Sequence, residues 1–245
     1  MKHFGTIARM SIEKKIESLC RKAIHEHKLL DGVSRVGVAL SGGKDSLTLL
    51  HMLKRLSGCG FEPFELVGFH VRGAFSCGPS VTSDFLKTLC EKMDVSLHIL
   101  ESNQTLDQLE CYSCSRIRRK LIFDAAKDAG VDVVAFGHHR DDSVQTLLMN
   151  ALHKGEFAAN LPKVPMVNYG VTIIRPLIYV SEDEIRSFAK QEGFARITCQ
   201  CPVGQNSRRK KVDDLLKSME EIFPNARAHL AKLSIEHGSD KALRP

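Results

Sequence analysis

Val36-Gly-Val-Ala-Leu-Ser41-Gly42-Gly43-Lys44-Asp45-Ser46 is the stretch that decides the fold. Residues 33–40 form a short Val-rich apolar run, which suits a buried parallel strand. The run breaks at Ser-Gly-Gly, and Leu47, Leu50, Leu53 and Leu56 then recur at helical spacing. A strand that turns through two glycines into a helix aims successive N–H groups at one spot, where an anion can sit. The helix N-terminus adds partial positive charge, Lys44 adds a full charge, and Ser41 and Ser46 add hydroxyl donors. The four-residue spacer of Gly-x-x-x-x-Gly-Lys-Ser/Thr is absent, so this is a different kind of phosphate loop.

The alternation continues outward from this loop. Upstream, Ile12, Ile16, Leu19, Ala23 and Leu30 mark a leading amphipathic helix over residues 11–30. Downstream, apolar runs at 65–71, 95–100, 131–137 and 171–174 read as strands. Helical patterns at 81–93, 116–129 and 143–152 separate them. This predicts an α/β fold with a Rossmann-like, doubly wound parallel sheet. Residues 161–169 carry Pro162 and Pro165 and read as a loop. Ser181 with Glu184 fits a capping box that opens a helix running to about residue 192. Residues 212–222 and 225–235 read as two closing helices. Three parts are expected: an N-terminal helix (1–31), a nucleotide-binding catalytic domain (32–206), and a C-terminal helical segment (207–245) packed on it.

Composition bounds the function. The 245 residues, 43% hydrophobic, suffice for one large domain. There is no Trp and aromatic content is 6%, against a surface that stacks many bases. The net charge of +6 fits either a solvated surface or a polyanion partner. No run approaches a membrane span, and residues 1–10 lack a signal-peptide pattern, so a cytoplasmic location is expected. Eight cysteines in a reducing compartment point to metal or redox chemistry where they pair closely.

Two thiol sites stand out. Cys111-Tyr-Ser-Cys114 precedes a helix that begins with Arg116, Arg118 and Arg119, and a helix N-terminus lowers thiol pKa. Cys199-Gln-Cys201 precedes Arg208, Arg209 and Lys210. Three thiols on an iron–sulfur cluster leave one iron open, whereas four thiols can close a zinc site. Spacing alone leaves both open, and a redox pair as well. Both basic runs suit phosphate contacts or solvated helix starts. Gly137-His138-His139-Arg140-Asp141-Asp142 ends another strand, where paired aspartates can hold Mg²⁺ on phosphates. Cys20, Cys59, Cys77 and Cys90 read as ordinary thiols.

The loop resembles the pyrophosphate loop of the PP-loop ATP pyrophosphatases. Taken in order, Ser41–Ser46, Cys111-Tyr-Ser-Cys114-Ser-Arg-Ile-Arg-Arg, Gly137–Asp142, Ile174-Arg175-Pro176-Leu177 and the Cys199/Cys201 segment resemble the tRNA 2-thiocytidine synthetases. The resemblance spans roughly residues 35–216. It implies ATP-dependent thiolation of C2 of an anticodon-loop cytidine, position 32, through an adenylated base. The implied fold is of the adenine nucleotide alpha-hydrolase type, and the implied cofactors are Mg²⁺ and a [4Fe-4S] cluster. It places ATP on Leu40, Ser41, Gly42, Gly43, Lys44, Asp45, Ser46, Gly137 and His138. Catalytic roles fall on Lys44, Asp45, Asp141, Asp142 and Cys114. The cluster ligands are Cys111, Cys114 and Cys201, with Cys199 as the fallback. The contacts to tRNA are Arg116, Arg118, Arg119, Arg208, Arg209 and Lys210. A sulfur donor (a cysteine desulfurase or inorganic sulfide) and a homodimer are also implied.

The sequence departs from that pattern at two places. Cys199 and Cys201 are separated by one residue where the family has two. Phe69-His70-Val71-Arg72-Gly73 lacks the acidic residue expected after the second strand, which leaves the adenosine contacts there open. A different PP-loop ligase, such as a lysidine synthetase or a 2-thiouridine-forming enzyme, and a nucleotide- or metal-binding module without catalysis are the alternatives.

Overall fold

The computed structural model describes residues 10–73, 81–102, 111–194 and 208–239. Helix α1 (Ile12–Glu26) starts at Ser11, whose hydroxyl accepts from the Lys14 N–H at 3.3 Å. It buries Ile16, Cys20, Ala23 and Ile24, one face of a 3.6-residue period. Strand β1 (Arg35–Ala39) runs into α2 (Lys44–Leu56), and β2 (Glu65–Gly73) leads to α3 (Val81–Lys92). Then come β3 (Ser96–Ser102), α4 (Cys111–Asp128), β4 (Val133–Ala135) and α5 (Arg140–Lys154). Strands β5 (Lys163–Met166) and β6 (Val171–Ile174) precede α6 (Glu182–Gln191), α7 (Arg208–Ile222) and α8 (Ala226–His237).

The sheet has the order β3-β2-β1-β4-β6-β5. Its first five strands are parallel, with Val36 opposite Leu66 on one side and Val133 on the other. Two adjacent parallel strands cannot be joined by a tight turn, so each crossover carries a helix. Side chains alternate between the faces. Val36, Val38, Leu66, Val133 and Ile174 face α1, α2, α3 and α6. Val67, Phe69, Val71, Val134 and Ile173 meet Ile122, Phe123 and Ala126 of α4. Phe69 is fully buried, and its truncation to Ala would cost about 3–5 kcal/mol. A third cluster (Val144, Leu148, Leu216 and Ala231) joins α5 to α7 and α8.

The expected doubly wound parallel sheet is present, with one correction. Within the segment read as a loop, residues 163–166 form β5, an antiparallel edge strand on β6. Pro165 pairs opposite Thr172, and an edge strand tolerates a missing N–H. Two helices also start earlier than their apolar stripes. Helix α4 begins at Cys111 and α7 at Arg208, so each absorbs residues expected to precede it. The capping box of α6 forms as expected: Ser181 Oγ accepts from the Glu184 N–H at 3.3 Å, and Glu184 Oε2 from the Ser181 N–H at 2.8 Å. Among the described residues, no helix is long and apolar enough to cross a membrane.

Candidate active site

Strand order reverses between β1 and β4, and crevices at such switch points take ligands at the carboxyl ends of the strands. Leu40 closes β1. Its N–H donates to the Phe69 carbonyl at 2.8 Å, and its carbonyl accepts from His70 Nδ1 at 2.7 Å. The Leu40 backbone is thus tied into the sheet at the edge of the crevice. Gly42 turns the chain at φ +81°, a conformation that favours glycine. Gly43 caps α2 without a side chain, so the first-turn N–H groups of α2 open into the crevice. Ser46 Oγ donates to the Gly43 carbonyl at 2.9 Å and lies 3.2 Å from Ser41 Oγ, which accepts from the Gly43 N–H at 3.2 Å. These bonds hold the loop in a tight arc.

Lys44 Nζ lies between two carboxylates. It donates to Asp45 Oδ1 at 2.9 Å and pairs with Glu182 Oε1 at 3.2 Å. Burial alone would lower the Lys44 pKa, but these two charges outweigh it and hold the pKa above the usual lysine value. Burial would likewise raise Glu182, yet Lys44 and Arg186 keep it below the ordinary carboxylate range.

Across the crevice, Gly137 follows β4. A Cβ there would lie 3.0 Å from the Asp45 carbonyl carbon and 3.1 Å from the Ser46 nitrogen. The half-buried His138 stacks on Phe136 and faces the buried Arg175, whose Nε is 3.4 Å from His138 Nδ1. Desolvation and the Arg175 charge push the His138 pKa well below the usual histidine value, so the ring is a neutral acceptor.

His139 caps α5 and is buried. Its Nε2 lies 3.4 Å from Asp142 Oδ2 and 3.8 Å from Asp45 Oδ1. Asp142 Oδ2 also accepts from the His139 N–H at 3.1 Å, and Asp142 Oδ1 faces Arg209 of α7 at 3.5 Å. Burial raises the Asp142 pKa, but His139 and Arg209 beside it outweigh this and hold it below the usual carboxylate range. Asp45, His139 and Asp142 therefore form one group facing the phosphate loop.

Asp141 points elsewhere. Its Oδ2 accepts from the Glu182 N–H at 2.7 Å, and its Oδ1 pairs with Arg227 of α8 at 3.2 Å. Both oxygens are committed to the fold, whereas the sequence placed Asp141 among the metal-facing residues. Arg118, expected on tRNA, donates instead to the Val71 carbonyl at 2.7 Å. Arg116 is exposed on α4, Arg119 half-buried, and Arg209 and Lys210 exposed on α7. Cys111 and Cys114 occupy the first turn of α4, and Arg208 begins α7. Cys199 and Cys201 lie outside the described residues, as does Cys77. Cys20 and Cys90 are buried and Cys59 is exposed.

Sequence reading missed Glu182 and Arg227, and it quoted Arg175 and His70 within their segments without giving either a role. Glu182 was hidden inside a capping box whose helix signal accounts for its presence. Fully buried Arg175 carried a stronger signal, since a cation beside Pro in an apolar run calls for a partner.

A family model described as a PP-loop domain matches residues 9–201. A tRNA-cytidine(32) 2-sulfurtransferase of Geobacter metallireducens is 32% identical over 229 residues, covering 89% of this chain and 88% of its own. One of Syntrophotalea carbinolica is 34% identical, covering 89% and 86%. Among solved structures, the U34-tRNA thiolase NcsA from Methanococcus maripaludis with its [4Fe-4S] cluster superposes with a TM-score of 0.74. It is 21% identical and covers 95% of this chain and 82% of that one, a likeness of fold. With its glycine loop opening α2 at the switch point and its similarity running along most of its length, the chain belongs to the tRNA-cytidine(32) 2-sulfurtransferases of the PP-loop family.

Proposed function

We propose that this protein replaces the C2 oxygen of cytidine 32 in tRNA with sulfur, using ATP to activate that oxygen. One observation carries the reading. The Ser41–Ser46 loop opens α2 at the β1–β4 switch point, facing Asp142 and His139 across Gly137. Sequence similarity to enzymes named for that reaction supports the substrate.

Each residue has a role in this reading. The α2 N–H groups and Lys44 hold the β,γ-pyrophosphate of ATP, and Ser46, whose hydroxyl donates to the Gly43 carbonyl, holds the arc of the loop. The donor set fits a hard cation, because Asp45 and Asp142 are carboxylates whose oxygens both face the His139 ring. Those two would hold Mg²⁺, and Asp141 serves as a brace. The C2 oxygen attacks the α-phosphorus, pyrophosphate leaves, and Lys44 offsets the charge that builds on it. A sulfur nucleophile then attacks C2, and AMP departs with the oxygen.

The thiols fit an iron–sulfur group by the chemistry of the donor set. Cys111 and Cys114 share one turn at a helix N-terminus, where thiolates are favoured. With Cys201, or Cys199 in its place, they would hold a [4Fe-4S] cluster, which when bound supplies an iron open to exogenous sulfide. Sulfur arrives from a cysteine desulfurase or as inorganic sulfide, in the cytoplasm, and the chain works as a homodimer. Exposed Arg209 and Lys210 take tRNA phosphates.

Anaerobically prepared protein is to be incubated with a tRNA transcript bearing cytidine 32, Mg-ATP and sulfide. The expected result is 2-thiocytidine by nucleoside mass analysis, with AMP and pyrophosphate formed in step, and its loss in Lys44→Ala. Thiolation that persists in Lys44→Ala, or ATP consumption without any thiolated base, rejects the reading.

A further inference from the structure

The phosphate loop is tied to the last helix of the chain. Lys44 has one carboxylate partner beside it in sequence, Asp45, and one from across the crevice, Glu182. An adjacent residue can only draw the ammonium back along the first turn of α2. Glu182, in the first turn of α6, holds it from a second element. Glu182 is itself held in place: Arg186 pairs with the same Oε1 at 2.9 Å, and the Glu182 N–H donates to Asp141 Oδ2 at 2.7 Å. Asp141 in turn pairs with Arg227 at 3.2 Å, and both side chains are almost wholly buried. Arg227 is fixed by Asp213 and Glu220 of α7, each at 3.2 Å. A continuous chain of contacts thus runs from α8 through Arg227, Asp141 and Glu182 to Lys44. Its far end lies beyond residues 9–201, the extent of the PP-loop match.

We propose that Glu182 is a positioning residue for Lys44, and that Arg227 of the C-terminal helix pair sets Glu182 in place through Asp141. Glu182 does not touch the reacting atoms. It aims the one full positive charge of the loop at the pyrophosphate, so its effect falls on ligands that carry β- and γ-phosphates. The C-terminal helices, which also bear Arg209 and Lys210, thereby share one rigid path with the phosphate seat. The proposal rests on the nucleotide reading of the loop.

The test titrates the full chain, with magnesium present, against inorganic pyrophosphate and separately against AMP. Glu182→Gln weakens pyrophosphate binding about tenfold and leaves AMP within about twofold, because AMP lacks the phosphates that Lys44 grips. Glu182→Asp recovers part of the loss. Arg227→Met shifts pyrophosphate binding in the same direction, and Arg227→Lys, which keeps the charge, stays nearer to wild type. The double variant Glu182→Gln/Arg227→Met is no worse than the poorer single, since both act through one chain of contacts.

Unchanged or tighter pyrophosphate binding in Glu182→Gln overturns the proposal. So does a parallel loss for AMP and pyrophosphate, which marks a merely structural role. A wild-type chain that binds neither ligand removes the nucleotide reading itself and the proposal with it.

Discussion

Gly137 approaches Asp45 so closely that a Cβ added to it would stand 3.0 Å from the Asp45 carbonyl carbon. The end of β4 and the start of α2 meet there, and the atoms met are backbone, which cannot swing aside. Gly137→Ala must therefore push the two apart by a few tenths of an ångström. The shift moves the α2 N–H groups relative to Asp142, which matters more than the packing itself. We expect Gly137→Ala to cost about 1–3 kcal/mol of stability and to lower ATP affinity at least about tenfold. Urea unfolding and nucleotide titration check the two effects. Wild-type affinity in this variant would show that β4 and α2 do not form one site.

The fold was legible where two periodicities meet. The Val-rich run before Ser41 and the leucine stripe after Asp45 left only a strand–turn–helix to read, and the turn held two glycines. Legibility failed where a residue's meaning lay in a distant partner. Pro165 read as a breaker, yet β6 accepts it because only an edge strand can spare the N–H. Cys111-Tyr-Ser-Cys114 carries no apolar stripe, so the true start of α4 was invisible. Arg118 looked like part of a basic run, and only the fold brings it to the Val71 carbonyl. Within the site, Asp45 and Asp142 were readable as carboxylates beside a phosphate loop. That Asp141 would turn from them to Arg227 depended on α8, remote in sequence.

His70 stands where an acidic residue was expected, and its Nδ1–H donates to the Leu40 carbonyl inside the sheet. Burial first, and then the Arg118 and Arg72 charges, push its pKa below the usual histidine value. The folded chain keeps the ring neutral, while the unfolded chain protonates it near about 6.5. The unfolded state therefore binds more protons as pH falls, and stability drops below about pH 6.5. The slope for this group reaches at most about 1.4 kcal/mol per pH unit. Urea midpoints at three pH values between 5.5 and 7.5 should show the fall, and His70→Gln should flatten it in part. His27 and His138 shift in the same direction and keep the remainder. A fall of equal size in His70→Gln would mean that His70 does not titrate this way.

Arg209 pairs with Asp142 at 3.5 Å while its side chain stays half exposed. An exposed ion pair contributes little, so Arg209→Ala should change stability by no more than about 1 kcal/mol. Its cost should appear in tRNA binding. Loss of one phosphate contact weakens affinity evenly across tRNA sequences and reduces the slope of log affinity against log salt by about one. Filter or gel binding at several salt concentrations measures both. An unchanged salt slope would confine Arg209 to its partnership with Asp142.

Three cysteines outside the proposed cluster set differ sharply in access, and thiol labelling can read the difference. Cys20 is wholly buried in α1 and Cys90 nearly so in α3, whereas Cys59 is exposed after α2. Burial also pushes the Cys90 thiol up to about 11 and Cys20 higher still, so neither offers a thiolate near pH 8. Brief treatment of the native chain with iodoacetamide should therefore label Cys59 and spare Cys20 and Cys90, as read by peptide mass analysis. All three should react in urea. Because exposure makes Cys59 the easiest of these to mistake for a metal ligand, Cys59→Ser is the informative replacement. It should leave the iron content of anaerobically prepared protein unchanged, whereas Cys111→Ser or Cys114→Ser should remove most of it. Iron lost on replacing Cys59, or retained without Cys111 and Cys114, would move the proposed cluster away from the first turn of α4.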